Sequence, residues 1–109
     1  MRSGANIIVL TTCGSAAVAR KIARALVERR LAACVNVATA PVESIYRWKD
    51  KIERAKEYVL LIKTTLGRFG AVERAIREAH SYEVPEIIAV PIARGSREYL
   101  RWLGENVRQ

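Results

Sequence analysis

Histidine occurs once in the 109 residues, as His80, and phenylalanine once, as Phe69; there are two cysteines, Cys13 and Cys34, and three prolines. A single histidine excludes a multi-histidine metal centre within one chain. Two cysteines without CxxC spacing make neither a disulfide framework nor a structural zinc site. Reduced thiols in a cytoplasmic protein of bacterial type are the resulting expectation. No apolar run approaches the roughly 18–20 residues that span a bilayer, so no membrane role is expected. The opening Met1-Arg2-Ser3-Gly4 has one basic residue, and the apolar run that follows ends at Leu10. That run is too short for a convincing secretion signal. Catalytic signatures are missing as well: there is no glycine-rich phosphate loop, no GxSxG elbow and no HExxH.

Basic charge is what the chain does have. Nineteen Lys and Arg stand against 11 Asp and Glu, a net charge of +8. Such a balance raises nucleic acid or another anion as a partner, but it speaks to association and not to fold. Arg20, Lys21, Arg24, Arg29 and Arg30 crowd one segment, while the other basic residues are interleaved with acids. An RNA-binding sheet would carry aromatics in a glycine-aromatic pattern, and Tyr46, Trp48 and Tyr58 do not form one. A solvated basic face without a nucleic-acid partner is the reading. Residues 1–109 are long enough for one domain and one core, and because the 28% of charged residues are matched by plentiful Val, Ile and Leu, an ordered chain is expected.

Ile7–Leu10 reads as a strand buried on both faces, broken at Thr12-Cys13-Gly14-Ser15. Ser15 is placed to cap a helix in which Val18, Ile22 and Leu26 recur every four residues. Leu31–Val37 alternates in the manner of a strand until Pro41 interrupts. Ile45–Trp48 and Glu57–Thr64 make the two arms of a hairpin around the charged turn Lys49-Asp50-Lys51. Phe69, Val72, Ile76 and His80 share a stripe on a second helix, which Pro85 ends. Ile87–Ile92 is a last strand, with Pro91 marking an edge or bulge position. Ser96 can cap a terminal helix carrying Tyr99, Leu100 and Leu103. The order βα, long hairpin, αβ and final helix predicts an α+β, ferredoxin-like split βαβ sandwich.

His80 is the most chemically loaded residue. It is either a histidine at a helix C-terminus, favoured there by the dipole, or a soft-metal ligand at a loop edge. A pairing of His80 with Cys13 or Cys34 as a catalytic nucleophile is formally open, but cysteines at strand ends are usually small buried hydrophobes. Trp48 and Trp102 are large anchors for so small a domain. A hairpin that outruns its sheet exposes backbone edges and aromatic surface, which self-association in a closed ring would cover.

Several strings resemble those of one family in order: Leu31–Asn36, Ser44–Lys49, Ile62–Thr64, His80–Ile87 and Tyr99–Leu103. Together they make the chain similar to CutA-type divalent-cation tolerance proteins from about Ile7 onward. The resemblance implies a ferredoxin-like fold close to the nitrogen-regulatory PII proteins, a tight homotrimer with interlocking hairpins, and a cytoplasmic location. It implies a role in tolerance of copper or another divalent cation, as a metal-binding or signalling module and not an enzyme. His80 is the ligand it points to. Some members carry a first-strand cysteine where this chain has Thr11; Cys13, two residues on and on the same side of the strand, is the second metal ligand the resemblance suggests, and a second histidine of those members is Ala79 here. Ser81 stands for a usual proline and Asp50 for a common glycine. Trp48, Glu57, Lys63, His80 and Tyr82 match positions lining the family's cleft between subunits. That set suits a metal or, as the alternative, a small anionic ligand read by a PII-like trimeric sensor, unless Glu57 and Lys63 only form ion pairs holding the trimer.

Overall fold

A computed structural model describes residues 4–108; Met1, Arg2 and Ser3, part of the secretion-signal argument, lie outside the described residues. The elements are β1 (Asn6–Cys13), α1 (Ala16–Glu28), β2 (Cys34–Val37), β3 (Val42–Trp48), β4 (Lys51–Thr65), α2 (Phe69–Ala79), β5 (Ile87–Pro91) and α3 (Arg97–Glu105). The strands form one antiparallel sheet in the order β2-β4-β1-β5, with β3 paired to β4. This is the ferredoxin-like arrangement that the element order predicts.

Register explains how the core forms. Ile7 lies opposite Thr64, Val9 opposite Ile62 and Thr11 opposite Leu60, so the two-residue period sends all six to one face. Both main helices cover that face. Ser15 caps α1 by accepting from the Val18 amide at 3.1 Å, and α1 turns Ala19, Ile22 and Leu26 inward. The inward residues of α2 are Val72, Ala75 and Ile76. Val9, Leu26, Leu60, Ile62 and Ile76 are fully buried, each worth about 1.5–3 kcal/mol of transfer free energy.

On the opposite, open face, Leu103 and Val107 pack with Ala33 and Ile92 at one end. Leu61, Ile88 and Val90 remain 37%, 49% and 44% exposed there. Among the described residues, no helix is long and apolar enough to cross a membrane.

Four details depart from the sequence expectations. β1 does not break at Thr12, because Thr12 and Cys13 still pair with Val59 and Tyr58. The hairpin is longer than its apolar cores suggested: Lys49 and Asp50 adopt φ of 50° and 66°. Two consecutive positive φ values make a tight turn whose twist matches the strands, so pairing begins at once on both sides. Residues 38–41 bulge, since Val37 pairs Leu60 while Val42 pairs Glu57, leaving those four residues to face only Tyr58 and Val59. Pro41 sits inside that bulge, where its missing amide costs no ladder bond. Finally, α2 stops at Ala79, and His80 has φ −94° and ψ 140°. Its side chain therefore leaves the helical stripe of Phe69, Val72 and Ile76. Pro91 falls on β5, the edge strand of the sheet, as its chemistry requires.

Candidate functional site

The end of β1 gathers the polar groups. Thr12 lies on the open face, and its hydroxyl donates to Glu57 Oε2 at 3.0 Å. Its carbonyl accepts from His80 Nε2 at 2.6 Å, while His80 Nδ1 accepts from the Tyr82 amide at 3.1 Å. A carbonyl can only accept and an amide N–H can only donate, so these partners define a neutral imidazole protonated on Nε2. The Tyr82 ring then lies edge-on to His80, with centroids 4.4 Å apart. His80 thereby sets the start of the loop 81–86, and with it the position of Tyr82.

Glu57 is only 8% exposed, and a buried carboxylate needs hydrogen-bond donors. Thr12 supplies one, and the Tyr82 phenol another. Burial, followed by the Glu57 charge, pushes the Tyr82 pKa up to about 12. Burial likewise pushes the Cys13 thiol up, with Glu57 adding to the rise; the thiol lies 3.5 Å from the Ser15 carbonyl, to which it donates.

Over Glu57 opens a cavity of about 750 Å³ between the open face of the hairpin and the loop 81–86. Glu57, Glu83 and Glu86 contribute carboxylates, and Tyr46, Trp48 and Tyr82 contribute aromatic walls. Among the described residues, no Lys, Arg or His lines it. The recess is thus acidic in a chain of net charge +8.

The residues singled out from sequence fall into three places. Glu57, Trp48 and Tyr82 line the cavity together. His80 stands behind Tyr82, with both ring nitrogens engaged. Cys13 pairs Tyr58 on the helix-covered side and is buried. Lys63 lies elsewhere: six residues along β4 from Glu57 is about 20 Å. Its ammonium contacts Asn36 Oδ1 and lies 3.9 Å from Cys34 Sγ. The ion pairs among the described residues are Arg24–Glu28, Arg54–Glu43 and Arg77–Glu73, none of which joins Glu57 to Lys63. No three His, Cys, Asp or Glu side chains among the described residues gather closely enough to hold a metal ion. Thr11 points into the helix-covered core, and its buried hydroxyl has no hydrogen-bond partner among the described residues.

Thr12, Glu83 and Glu86 escaped the sequence reading. Thr12 follows Ile8 and Leu10 at the strand period, so its face was predictable once β1 is extended. Nothing local in Glu83 or Glu86 shows that they share a cavity with Glu57, since that depends on where the loop returns to the sheet.

The chain's likeness to known proteins covers nearly all of it. The family described as CutA1 divalent ion tolerance protein matches residues 7–106. The Divalent-cation tolerance protein CutA of Thermus thermophilus is 52% identical over 99 residues, which are 91% of this chain and 95% of that protein. Protein CutA of Homo sapiens is 44% identical over 100 residues, 92% of this chain and 55% of that longer protein. The crystal structure of CutA1 from Oryza sativa superposes with a TM-score of 0.92 at 34% identity, covering 96% of this chain and 95% of that one. On sequence and fold together, the chain belongs to the CutA1 divalent ion tolerance protein family.

Proposed function

We propose that this chain serves divalent-cation tolerance as a binding module, not an enzyme, and receives copper or another divalent cation in the cavity over Glu57. The observation that carries this reading is the sign of the cavity: among the described residues, three carboxylates line it and no basic side chain does. Such a recess concentrates cations and repels anions. The alternative, a PII-like sensor of a small anionic ligand, stands second because Lys63, the cation it needs, is held by Asn36 and Cys34 outside the recess.

One chain's donors do not close around an ion, which supports completion of the site by further copies. We read the assembly as the homotrimer that the family resemblance implies. Exposed Leu61, Ile88 and Val90 on the open face need a cover, as do Ile45 and Ile52 on the projecting hairpin, 65% and 61% exposed. Two free cysteines support a reducing, cytoplasmic setting. His80 and Cys13 sit at the same strand end as nitrogen and sulfur donors. Metal binding there would require His80 to give up one hydrogen bond and Cys13 to lose its proton, so affinity through them would rise with pH.

A calorimetric titration of the metal-free protein with Cu²⁺, anaerobic and without reductant, tests the reading. Glu57→Gln, His80→Ala and Cys13→Ser are titrated beside the parent. The cavity reading expects Glu57→Gln to weaken binding at least tenfold, about 1.4 kcal/mol. Binding indifferent to Glu57→Gln but lost with His80→Ala and Cys13→Ser would move the site to that pair. Failure of all metals to bind, with nucleotide binding in their place, would favour the anion sensor. Light scattering that gives the mass of one chain would overturn the trimer.

A further inference from the structure

The second polar cluster on the open face carries chemistry of its own, independent of the cavity. β2 and β4 set Cys34 directly opposite Lys63, so the two side chains leave the sheet on the same face with Cβ atoms about 4.5–5.5 Å apart. Lys63 Nζ lies 3.9 Å from Cys34 Sγ. Asn36 on the same strand as Cys34 accepts from the same ammonium, which keeps the lysine folded back over the sulfur instead of extended into water. Tyr99 of α3 neighbours the same sulfur: burial, then the Cys34 thiol, raise its phenol. Cys34 is free and half-buried. The other thiol, Cys13, projects from the opposite face of the sheet, beside Tyr58, so an intrachain disulfide is out of reach. An oxidised Cys34 sulfur therefore has the Lys63 nitrogen 3.9 Å away.

We propose that Cys34 and Lys63 form a redox modification site, at which dioxygen converts the thiol and the amine into a covalent Sγ–O–Nζ bridge. The ammonium first releases one proton to solvent. One oxygen atom then bonds both sulfur and nitrogen, and the other leaves as water with the thiol hydrogen and one amine hydrogen. Sulfur and nitrogen each give up two electrons, and the four together reduce dioxygen. The product is neutral. It erases the Lys63 charge from the open face and ties the edge strand β2 to β4, whose pairing covers only Cys34–Val37.

The test is peptide mapping of the full chain, one sample aerated and one kept under argon, with trypsin and no reductant. The aerated sample is expected to show residues 31–47 joined to residues 57–68, with cleavage after Lys63 blocked. The joined mass equals the two peptides plus one oxygen less two hydrogens, and a thiol reductant separates them. The argon sample, Lys63→Arg and Cys34→Ser are expected to lack it, with circular dichroism showing that both variants fold. Unmodified peptides after aeration would overturn the proposal. So would Cys34 carrying whole oxygen atoms with normal cleavage at Lys63, a disulfide between copies, or the same joined product in Lys63→Arg.

Discussion

β4 is one strand with two different lives. Its second half, Val59–Thr65, pairs β1 on one side, and within it Leu60–Lys63 pairs β2 on the other. Leu60 and Ile62 there are fully buried beneath the helices. Its first half, Lys51–Glu57, pairs β3 alone and exposes Ile52. The first half has the β-branched and aromatic partners of a stable ribbon, yet among the described residues only the loop 81–86 stands over its open face. An isolated two-stranded ribbon is marginal in water. The contrast agrees with the proposed assembly, in which the outer half would meet further copies, whereas the inner half is held by the chain itself. Glu57 sits at the junction, and the cavity opens there.

Core and hairpin truncations sharpen that contrast most. Ile62→Ala removes a fully buried side chain and is expected to cost about 2–5 kcal/mol in denaturant unfolding. Ile52→Ala, 61% exposed, is expected to stay within about 0.5 kcal/mol for the dissociated chain, while lowering the light-scattering mass at low protein concentration. An equal loss of stability in both, measured on the dissociated chain, would end the distinction.

The junction comes next. Thr12→Val deprives the buried Glu57 of a donor and is expected to cost about 1–3 kcal/mol. Tyr82 offers a pH readout at the same place. Its folded pKa, about 12, lies above the ordinary value near 10. The folded state therefore holds that proton more tightly than the unfolded chain does. The corresponding stability is fully present below pH 10 and drains away as pH rises from 10 through 12. In absorbance titration, Glu57→Gln is expected to move the Tyr82 transition only partway back, because burial is the larger cause. A transition that does not move would separate Tyr82 from Glu57.

Smallest is the turn. Lys49 and Asp50 both hold positive φ, which side chains resist and glycine accepts. Asp50→Gly is expected to stabilise the hairpin by a few tenths to about 1 kcal/mol, visible as a modest rise in the thermal midpoint. A fall would mean that the Asp50 side chain supports the turn.

Much of this could be read from residues alone. The Ser15 and Ser96 caps, the Val18-Ile22-Leu26 spacing and the edge position of Pro91 rest on local rules, and each reappears in the fold. Boundaries were less legible. The polar ends of β1 and β4 carry Thr12, Cys13 and Lys51–Lys56, whose apolar signal is weak, and only the partner strand keeps them extended. The site was half legible: Glu57, Trp48 and Tyr82 share the cavity, while Lys63, on the same strand and face, does not. Face and distance along the strand follow from residue spacing, but which end of the strand forms the cavity is not visible until the loop 81–86 is seen to return beside Glu57 and not beside Lys63.

The sequence by itself determined the order of elements, the helix-covered core and the net charge, because hydrophobic period, capping and composition act over neighbouring residues. The tertiary structure alone decided that a basic chain carries an acidic recess, that His80 spends both nitrogens on Thr12 and Tyr82, and that Cys34 faces Lys63. Those facts depend on strand register and loop return. They bring together residues that are tens of positions apart, and no local preference specifies such a meeting.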